Sequence, residues 1–293
     1  MTPPSDDARA GSLPALSAPL VPLNSGTSVP QLGFGTYKMP PADTARLVLT
    51  ALELGYRHVD TAEMYGNERE VGEAVRASGL ARDDVFVTSK LDNPHHTPDQ
   101  ARAAFDRSLD DLGLDHVDLF LIHWPLPTVT DYVARWRVLE EAYADGRARA
   151  IGVSNFQVAH LQRLLDEADV VPAVNQVEVQ PYLAQHELRA FHAEHGIVTE
   201  AWSPLARGKV LDDPVVGRVA ARQARTPAQV VLRWHLQRGD VVIPKASSRA
   251  RIAENGNLFG FVLSDDDMAA IDGLDRGERT GSADPDTFDG VRG

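Results

Sequence analysis

The feature that most constrains the fold of this chain is a strand-then-helix pattern that repeats eight times after Pro30. Each predicted strand is a short, almost continuously apolar run, and each is followed by a segment with helical spacing. Strands of a parallel sheet that is buried on both faces have this composition, and eight such units are typical of a (β/α)8 TIM barrel. The predicted barrel strands are residues 32–36, 58–60, 85–90, 119–123, 148–153, 173–177, 198–202 and 241–244.

An open, doubly wound α/β sheet is the competing architecture. Such a sheet usually carries a G-x-G-x-x-G turn after its first strand. Here Gly33-Phe34-Gly35 runs into Thr36-Tyr37 with no third glycine in the required place. The barrel is therefore favoured over the open sheet.

Three further elements are expected around the barrel. A turn signal within residues 20–30 predicts an N-terminal β-hairpin, which we expect to plug one end of the barrel. Two extra helices are predicted at residues 215–223 and 264–274. The first barrel helix is expected to begin with Asp43 or Thr44 as its N-cap.

Length and composition indicate a single domain over residues 19–293, preceded by a leader at residues 1–18 whose Pro, Ala, Ser and Asp content predicts disorder. No apolar run approaches the roughly 20 residues of a membrane span, and no secretory signal is apparent, so a cytoplasmic location is expected. A net charge of −13 argues against nucleic-acid binding. Cysteine is absent, which excludes disulfides and thiolate chemistry.

Polar residues stand where three of the predicted strands end. Asp60 closes the second strand, Lys90 the third and His123 the fourth, and Tyr65 follows Asp60 in a loop. Catalytic groups of (β/α)8 barrels lie at the carboxyl ends of the strands. The sequence therefore predicts that an Asp, a Tyr, a Lys and a His meet at one mouth of the barrel.

These four residue types suit the reduction of a carbonyl group. A tyrosine has an unperturbed pKa of about 10, and a neighbouring ammonium lowers that pKa while a carboxylate keeps the ammonium charged. Asp60, Lys90 and Tyr65 could therefore form a chain that tunes the phenol for proton donation near neutral pH. His123 could orient or polarise the carbonyl oxygen.

The chain resembles the aldo-keto reductases from about Leu20 to its C-terminal tail, and most resembles the bacterial 2,5-diketo-D-gluconate reductase branch. Together the matching motifs are highly specific. They are residues 55–62 (GYRHVDTA), 65–68 (YGNE), 114–119 (LDHVDL), 123–125 (HWP), 151–156 (IGVSNF) and 243–245 (IPK), with Arg251, Glu254 and Asn255. The resemblance implies Tyr65 as proton donor, tuned by Lys90 and Asp60, and His123 as the group that orients the substrate carbonyl.

The resemblance also implies NADPH bound in extended form across the mouth, without a Rossmann unit. Its nicotinamide carboxamide would be held by Ser154, Asn155 and Gln176. The ring would stack on Trp202, a position at which many family members have Tyr.

For the rest of the cofactor, the resemblance implies pyrophosphate contacts from Ser203 and Leu205. Lys245 and Arg251 would bind the adenosine 2′-phosphate, with Arg offering bidentate geometry. The adenine and its ribose would be held by Glu254 and Asn255.

One departure from the family pattern bears on cofactor choice. Many members have Ser after the lysine of the eighth strand, whereas this chain has Ala246, followed by Ser247. One phosphate contact is then either lost or supplied by Ser247. NADPH is the expected cofactor, with NADH as a weaker alternative.

Loop residues that follow the strands are predicted to line an apolar substrate pocket. They are Tyr37, Met64, Asn93, Trp124 and Phe156. Phe288, in the C-terminal tail, is predicted to close over the substrate. The pair His95-His96 suggests a metal site, but adjacent histidines in a Pro-flanked loop are more often solvated, so no metal is expected.

Three functions are compatible with these patterns. The first is an NADPH-dependent reductase of aldehydes or ketones that acts as a monomer on small molecules, with keto sugars or small dicarbonyls such as 2,5-diketo-D-gluconate as plausible substrates. The second is a non-catalytic module that senses a nicotinamide cofactor on the same fold. The third is an aldolase in which Lys90 forms a Schiff base. The four residues at the mouth favour the reductase.

Overall fold

The structure is a computed structural model, and it describes residues 16, 18–281 and 283–290. The leader predicted at residues 1–18 lies outside these residues, apart from Leu16 and Ala18. Both of these side chains pack against the main hydrophobic core.

Parallel strands form the centre of the molecule, and each pairs with the next strand along the chain. They are β3 (Phe34–Gly35), β4 (His58–Asp60), β5 (Phe86–Leu91), β6 (Leu119–Ile122), β7 (Ile151–Ser154), β8 (Val174–Glu178), β9 (Val198–Trp202) and β10 (Val241–Val242). Two antiparallel strands, β1 (Leu20–Pro22) and β2 (Ser28–Pro30), precede them as the expected hairpin.

The sheet closes on itself between its first and last strands. Leu32 forms a parallel bridge with Val242, and the Gly33 backbone N–H donates to the Val242 carbonyl at 2.8 Å. A glycine is required at position 35, because a Cβ there would lie 2.7 Å from the carbonyl oxygen of Ile243. The prediction of a (β/α)8 barrel is confirmed.

Ten helices surround this barrel within the described part of the chain. They are α1 (Pro41–Glu53), α2 (Glu68–Ala77), α3 (Pro98–Leu112), α4 (Tyr132–Ala144), α5 (Val158–Glu167), α6 (His186–Glu194), α7 (Pro214–Gln223), α8 (Pro227–Gln237), α9 (Arg249–Gly256) and α10 (Asp265–Asp272). α7 and α10 are the two predicted extra helices. None of the described helices is long and apolar enough to cross a membrane.

The two ends of the barrel differ in polarity. At the amino ends of the strands, Leu23 and Val29 of the hairpin pack with Phe86, Leu119 and Val174 from the barrel. Burying such large apolar side chains contributes roughly 1.5–3 kcal/mol each, so the hairpin closes this end firmly. The carboxyl ends of the strands carry the polar residues and form the open mouth.

Candidate active site

The four residues predicted at strand ends converge at this mouth. Asp60 ends β4, Lys90 lies near the end of β5, and His123 directly follows β6. Tyr65 is on a single 3-10 turn (Glu63–Tyr65), which ends at Gly66 with a left-handed φ of 64°. Glycine adopts that conformation readily, so the chain can turn sharply after Tyr65 and start α2.

Lys90 is the centre of the group. Its Nζ donates to both carboxylate oxygens of Asp60 at 2.8 and 2.7 Å, and to the carbonyl of Thr61 at 2.8 Å. The Tyr65 hydroxyl lies 3.5 Å from the same Nζ. Asp60 also accepts from Gln176 Nε2 at 2.8 Å. The ammonium therefore joins the carboxylate to the phenol.

Charge outweighs burial at Lys90. Its side chain is completely buried, which lowers the pKa of an ammonium. The charges of Asp60 and Tyr65, with the Asp60 hydrogen bonds, raise the pKa of Lys90 above its usual value in spite of that burial. Lys90 is therefore a permanent cation at physiological pH and a poor Schiff-base nucleophile, which weighs against the aldolase alternative.

Burial dominates at Tyr65. It raises the pKa of the phenol to about 12, with Lys90 pulling the pKa down and Asp60 pushing it up. The residue as a whole is half-buried, but its hydroxyl lies beside the fully buried Lys90. In the free protein the Lys90 ammonium therefore lowers the pKa of the phenol by less than burial raises it. The phenol instead keeps its proton, as a proton donor must before reaction.

His123 faces Tyr65 across the mouth. The two rings meet edge-to-face with their centroids 5.8 Å apart. The backbone carbonyl of His123 accepts from Asn155 Nδ2 at 2.9 Å. An acceptor placed between the Tyr65 hydroxyl and the His123 ring would meet both side chains, which is the arrangement that a carbonyl oxygen needs.

The residues predicted for the nicotinamide are interconnected. Ser154 Oγ donates to the Gln176 carbonyl at 2.8 Å, and Trp202 Nε1 donates to Asn155 Oδ1 at 2.9 Å. Asn155 has a left-handed φ of 64°, a strained conformation that tends to cluster at functional sites. Trp202 is only partly buried, so its ring presents a flat surface at the mouth.

The loop after β9 is unusual in its backbone. Ser203, Ala206 and Arg207 all have left-handed φ values, of 49°, 49° and 54°. Leu205 between them packs against two hydrophobic cores. The strain is therefore held in place by burial, as expected of a loop shaped to receive a ligand.

The residues predicted for the adenosine 2′-phosphate lie around the start of α9. Lys245 and Arg251 are exposed, and neither forms an ion pair with any described residue. Arg249, on the same helix, is paired with Glu53 at 2.8 Å. Two cations without partners beside a helix start suit a phosphate group. Ala246 is buried in the main core, while Ser247 is exposed.

The last predicted cofactor contacts, Glu254 and Asn255, are near the end of α9. Asn255 is buried and Glu254 is half-buried. The Glu254 carboxylate accepts from Thr226 Oγ1 at 2.7 Å, so its orientation is set by the start of α8.

Most of the predicted pocket residues surround the mouth. The Tyr37 ring lies 5.1 Å from that of Tyr65, and Met64 precedes Tyr65 on the same turn. Trp124 packs against Phe288 at 4.6 Å, which brings the C-terminal tail to the mouth. Asn93 is buried close to Gly290 of that tail. These side chains form an aromatic wall with few polar groups.

Phe156 is placed deeper than the other pocket residues. It is fully buried in the main core, and its ring meets those of Tyr132 and His160 edge-to-face at 5.2 and 5.8 Å. In the free protein it supports the wall from behind rather than forming its surface.

Other features of the described residues do not compete with the mouth as a site. Two clefts of about 310 and 320 Å³ flank the hairpin, at the opposite end of the barrel from Lys90. His95 binds the carboxylate of Glu63 at 2.9 Å. No cluster of three or more potential metal ligands occurs in the described part of the chain.

Comparison with known proteins agrees with this geometry. The model of the aldo/keto reductase family matches residues 31–276. This chain belongs to the aldo/keto reductase family. An aldo-keto reductase of Mycobacterium sp. (strain KMS) is 50% identical over 273 residues, which is 93% of this chain and 99% of the relative. The methylglyoxal reductase DkgA of Yersinia pestis is 47% identical over 273 residues, 92% of this chain and 97% of that protein.

A solved structure of the family has the same fold. A mutant of Gox0644 in complex with NADPH superposes with a TM-score of 0.89 at 44% identity, covering 93% of this chain and 99% of that one. The family resemblance stated from the motifs is confirmed.

Sequence reasoning missed several residues that shape this aldo/keto reductase site. Arg135 is fully buried and donates to the carbonyls of Trp124 and Pro125 at 3.0 and 2.8 Å, so it supports the pocket wall. Glu200 and His58 lie inside the barrel beneath Asp60 and Lys90. The single charged residue in the strand Val198–Trp202 was the available signal for Glu200, since a buried charge in a barrel strand suggests a position close to other polar groups.

Proposed function

We propose that this enzyme reduces aldehydes or ketones to alcohols with NADPH as its cofactor and Tyr65 as the proton donor. The observation that carries the proposal is the buried Lys90 ammonium, which joins the Asp60 carboxylate to the Tyr65 hydroxyl beside His123. These groups lie at the carboxyl ends of the barrel strands, where barrel enzymes carry out their chemistry.

Each of the four side chains has a distinct part in the reaction. His123 orients the substrate carbonyl. The oxygen of that carbonyl lies between His123 and the Tyr65 hydroxyl. NADPH, when bound, supplies the hydride that adds to the carbonyl carbon. Tyr65 transfers its proton to the carbonyl oxygen, which completes the alcohol. Lys90 stabilises the phenolate that remains, and Asp60 keeps Lys90 charged and in place.

The residues at the mouth fit a dinucleotide with an extra phosphate. Trp202 offers a partly exposed ring for stacking, and the loop that follows it holds three residues at left-handed φ values, a conformation that clusters at ligand-binding sites. Lys245 and Arg251 have no ion-pair partner among the described residues, which favours NADPH over NADH. The complex of the Gox0644 mutant with NADPH supports the same assignment.

Small dicarbonyls and keto sugars are the proposed substrates. Tyr37, Trp124 and Phe288 supply aromatic rings at the mouth where a substrate carbonyl would enter, and a relative of 47% identity is a methylglyoxal reductase. We further propose that the enzyme acts as a monomer in the cytoplasm. Light scattering on the purified protein tests its oligomeric state.

The decisive experiment compares Tyr65→Phe with the wild type. NADPH oxidation is followed with methylglyoxal and with 2,5-diketo-D-gluconate, and NADPH binding is measured separately by fluorescence. Loss of a general acid should lower kcat by about 10²- to 10⁴-fold, while the Kd for NADPH stays unchanged. Tyr143→Phe, which removes a hydroxyl at the opposite end of the barrel, is the matched control and should keep full activity.

Two results would reject the proposal. Full turnover by Tyr65→Phe would exclude Tyr65 as the acid. Saturable NADPH binding by a wild type that reduces no aldehyde or ketone would instead favour a cofactor-sensing module.

A further inference from the structure

A second carboxylate lies inside the barrel beneath the catalytic group. Glu200 is on β9, two residues before Trp202, so it points inward one step deeper than the mouth. It is 1% exposed, and neither of its carboxylate oxygens has a hydrogen-bond partner among the described residues. The proposed reaction has no use for it.

Four strands of the barrel, β4, β5, β8 and β10, place residues next to Glu200. β4 presents His58, whose Nε2 lies 3.6 Å from Glu200 Oε1, and Asp60, whose charge acts on Glu200. β5 presents Lys90. The register partners on β8 and β10 are Gln176 and Val241, which carry no charge. Among the described residues, the titratable groups that these strands bring next to Glu200 are therefore His58, Asp60 and Lys90.

His58 cannot neutralise Glu200. Burial is the main reason that the pKa of His58 falls to about 3, and the Lys90 charge lowers it further, although the nearby backbone of Pro30 opposes the fall. The ring is therefore uncharged at neutral pH. Its Nε2 lies 3.1 Å from Thr88 Oγ1, which holds the imidazole in place.

With His58 uncharged, two carboxyl groups, those of Asp60 and Glu200, lie near a single ammonium, that of Lys90. Asp60 binds Lys90 through both of its oxygens and also accepts from Gln176. Glu200 has no comparable donor. An unpaired buried charge is strongly unfavourable and is usually relieved by protonation. Burial first, and then the charge of Asp60, raise the pKa of Glu200 to about 8. The neighbouring amide of Gln176 and the charge of Lys90 oppose the rise, but the Gln176 amide donates its hydrogen bond to Asp60 rather than to Glu200.

We propose that Glu200 is a positioning residue that is held neutral in the resting enzyme, so that the Lys90 ammonium is reserved for Asp60 and Tyr65, and that its ionisation suppresses proton donation. This inference rests on the proposed role of Tyr65 as the proton donor. When Glu200 releases its proton, a second buried negative charge competes for Lys90. The phenol of Tyr65 then becomes a weaker acid, because a nearby negative charge disfavours the phenolate.

The test is the pH profile of kcat, at saturating NADPH and substrate, for the wild type and Glu200→Gln. Glutamine keeps the shape of a protonated carboxyl and cannot ionise. The wild-type rate should fall by about tenfold between about pH 7 and about pH 9. Glu200→Gln should match the wild type within about twofold at neutral pH and keep its rate for at least about one further pH unit. Superimposable profiles would overturn the proposal.

Glu68 provides a matched control. It is also a buried carboxyl, and burial raises its pKa to about 7. It accepts from Ser89 and Ser108 outside the barrel interior. Glu68→Gln should leave the profile of kcat unmoved, and an equal shift in this variant would overturn the specific role of Glu200. Glu200→Asp, which keeps an ionisable carboxyl, should retain the loss of rate at high pH.

Infrared difference spectroscopy gives a readout that does not depend on turnover. Because Glu68 is also partly protonated at neutral pH, the spectra are compared in the Glu68→Gln background. There the carbonyl stretch of a protonated carboxyl should be present at neutral pH, disappear with a midpoint near pH 8 and be missing when Glu200→Gln is added. Absence of the band at neutral pH would overturn the proposal even if Glu200→Gln failed to fold. Full turnover by Tyr65→Phe would reject the proposed function while leaving this band unchanged, so the two failures are distinguishable.

Discussion

At the scale of single residues, the site works by opposing burial with charge. Lys90 and Tyr65 are both desolvated, and desolvation disfavours the charged form of each. Asp60 reverses the effect for Lys90 through two hydrogen bonds of 2.7–2.8 Å. For Tyr65 the Lys90 charge opposes desolvation less strongly, and Asp60 adds to the effect of desolvation. The result is a charged lysine next to a protonated phenol.

Arg251 is the residue on which cofactor preference should depend. Hydrogen bonds to charged groups contribute about 1.5–3 kcal/mol, so Arg251→Met should weaken NADPH binding by roughly 10- to 100-fold. NADH lacks the 2′-phosphate and should bind as before. Fluorescence titration with each cofactor measures the two values of Kd.

Arg249→Met is the control for this prediction. Arg249 is exposed on the same helix but is engaged by Glu53 at 2.8 Å, so its loss should leave both affinities unchanged. An equal loss of NADH affinity in Arg251→Met would show that Arg251 supports the fold of α9 rather than the phosphate.

At the scale of helices and strands, the residues at the helix N-termini explain which predicted helix starts were correct. Thr226 caps α8 and Pro227 takes its first position, as the sequence indicates. The prediction for α1 was wrong, because the helix begins at Pro41 rather than after Asp43 or Thr44. Proline suits the first helical position, and Thr44 bonds back to the Pro40 carbonyl at 2.9 Å inside the first turn.

Thr226 connects the start of α8 to Glu254, a proposed cofactor contact. Its Oγ1 accepts from the Gln229 backbone N–H at 3.2 Å and donates to Glu254 at 2.7 Å. Thr226→Ala should lower the free energy of unfolding by about 1 kcal/mol through loss of the cap. It should also weaken NADPH binding by roughly 2- to 10-fold, because Glu254 loses the donor that orients it. Urea unfolding and fluorescence titration measure the two effects.

A control variant in the capping box of α3 separates the loss of helix stability from the loss of NADPH affinity. Thr97 accepts from the Gln100 backbone N–H at 3.3 Å, so Thr97→Ala should lose a similar amount of stability with no change in NADPH affinity. If both variants weakened cofactor binding alike, the effect would follow from general loosening and not from Glu254.

At the scale of the whole molecule, buried titratable groups link stability to pH. Glu200 has an unperturbed pKa of 4.5 and a folded pKa of about 8. Between these values the folded protein holds a proton that the unfolded chain has released, so the folded state loses stability as the pH rises. The loss is about 1.4 kcal/mol per pH unit for each such group. His58 acts in the opposite direction. It is buried and neutral, with a pKa lowered from 6.5 to about 3, so the folded protein loses stability as the pH falls through this range.

Glu200→Gln should therefore gain stability relative to the wild type as the pH is raised from about 5 to about 8, and the difference should level off above that value. Glu68→Gln should behave similarly but level off near pH 7. Urea unfolding across this pH range measures both differences. A constant separation between Glu200→Gln and the wild type would mean that the pKa of Glu200 is not raised.

Much of this architecture follows from local sequence patterns. Continuous apolar runs separated by amphipathic segments specify parallel strands and helices, because strands buried on both faces admit few polar side chains. The same rule identifies Asp60, Lys90 and His123 as site candidates, since a polar residue that ends such a run is expected at a barrel mouth. Motifs such as IGVSNF then identify the family.

Other properties arise only when distant strands come together. The Gln176 hydrogen bond to Asp60 spans 116 positions of the chain, and Glu200 meets His58 from the far side of the barrel. Burial of the Tyr65 hydroxyl and the number of carboxylates that share Lys90 also depend on this packing. Sequence alone determined which residues stand at the mouth. Tertiary structure decided their charge states, because desolvation and Coulomb interactions depend on distances that barrel closure sets.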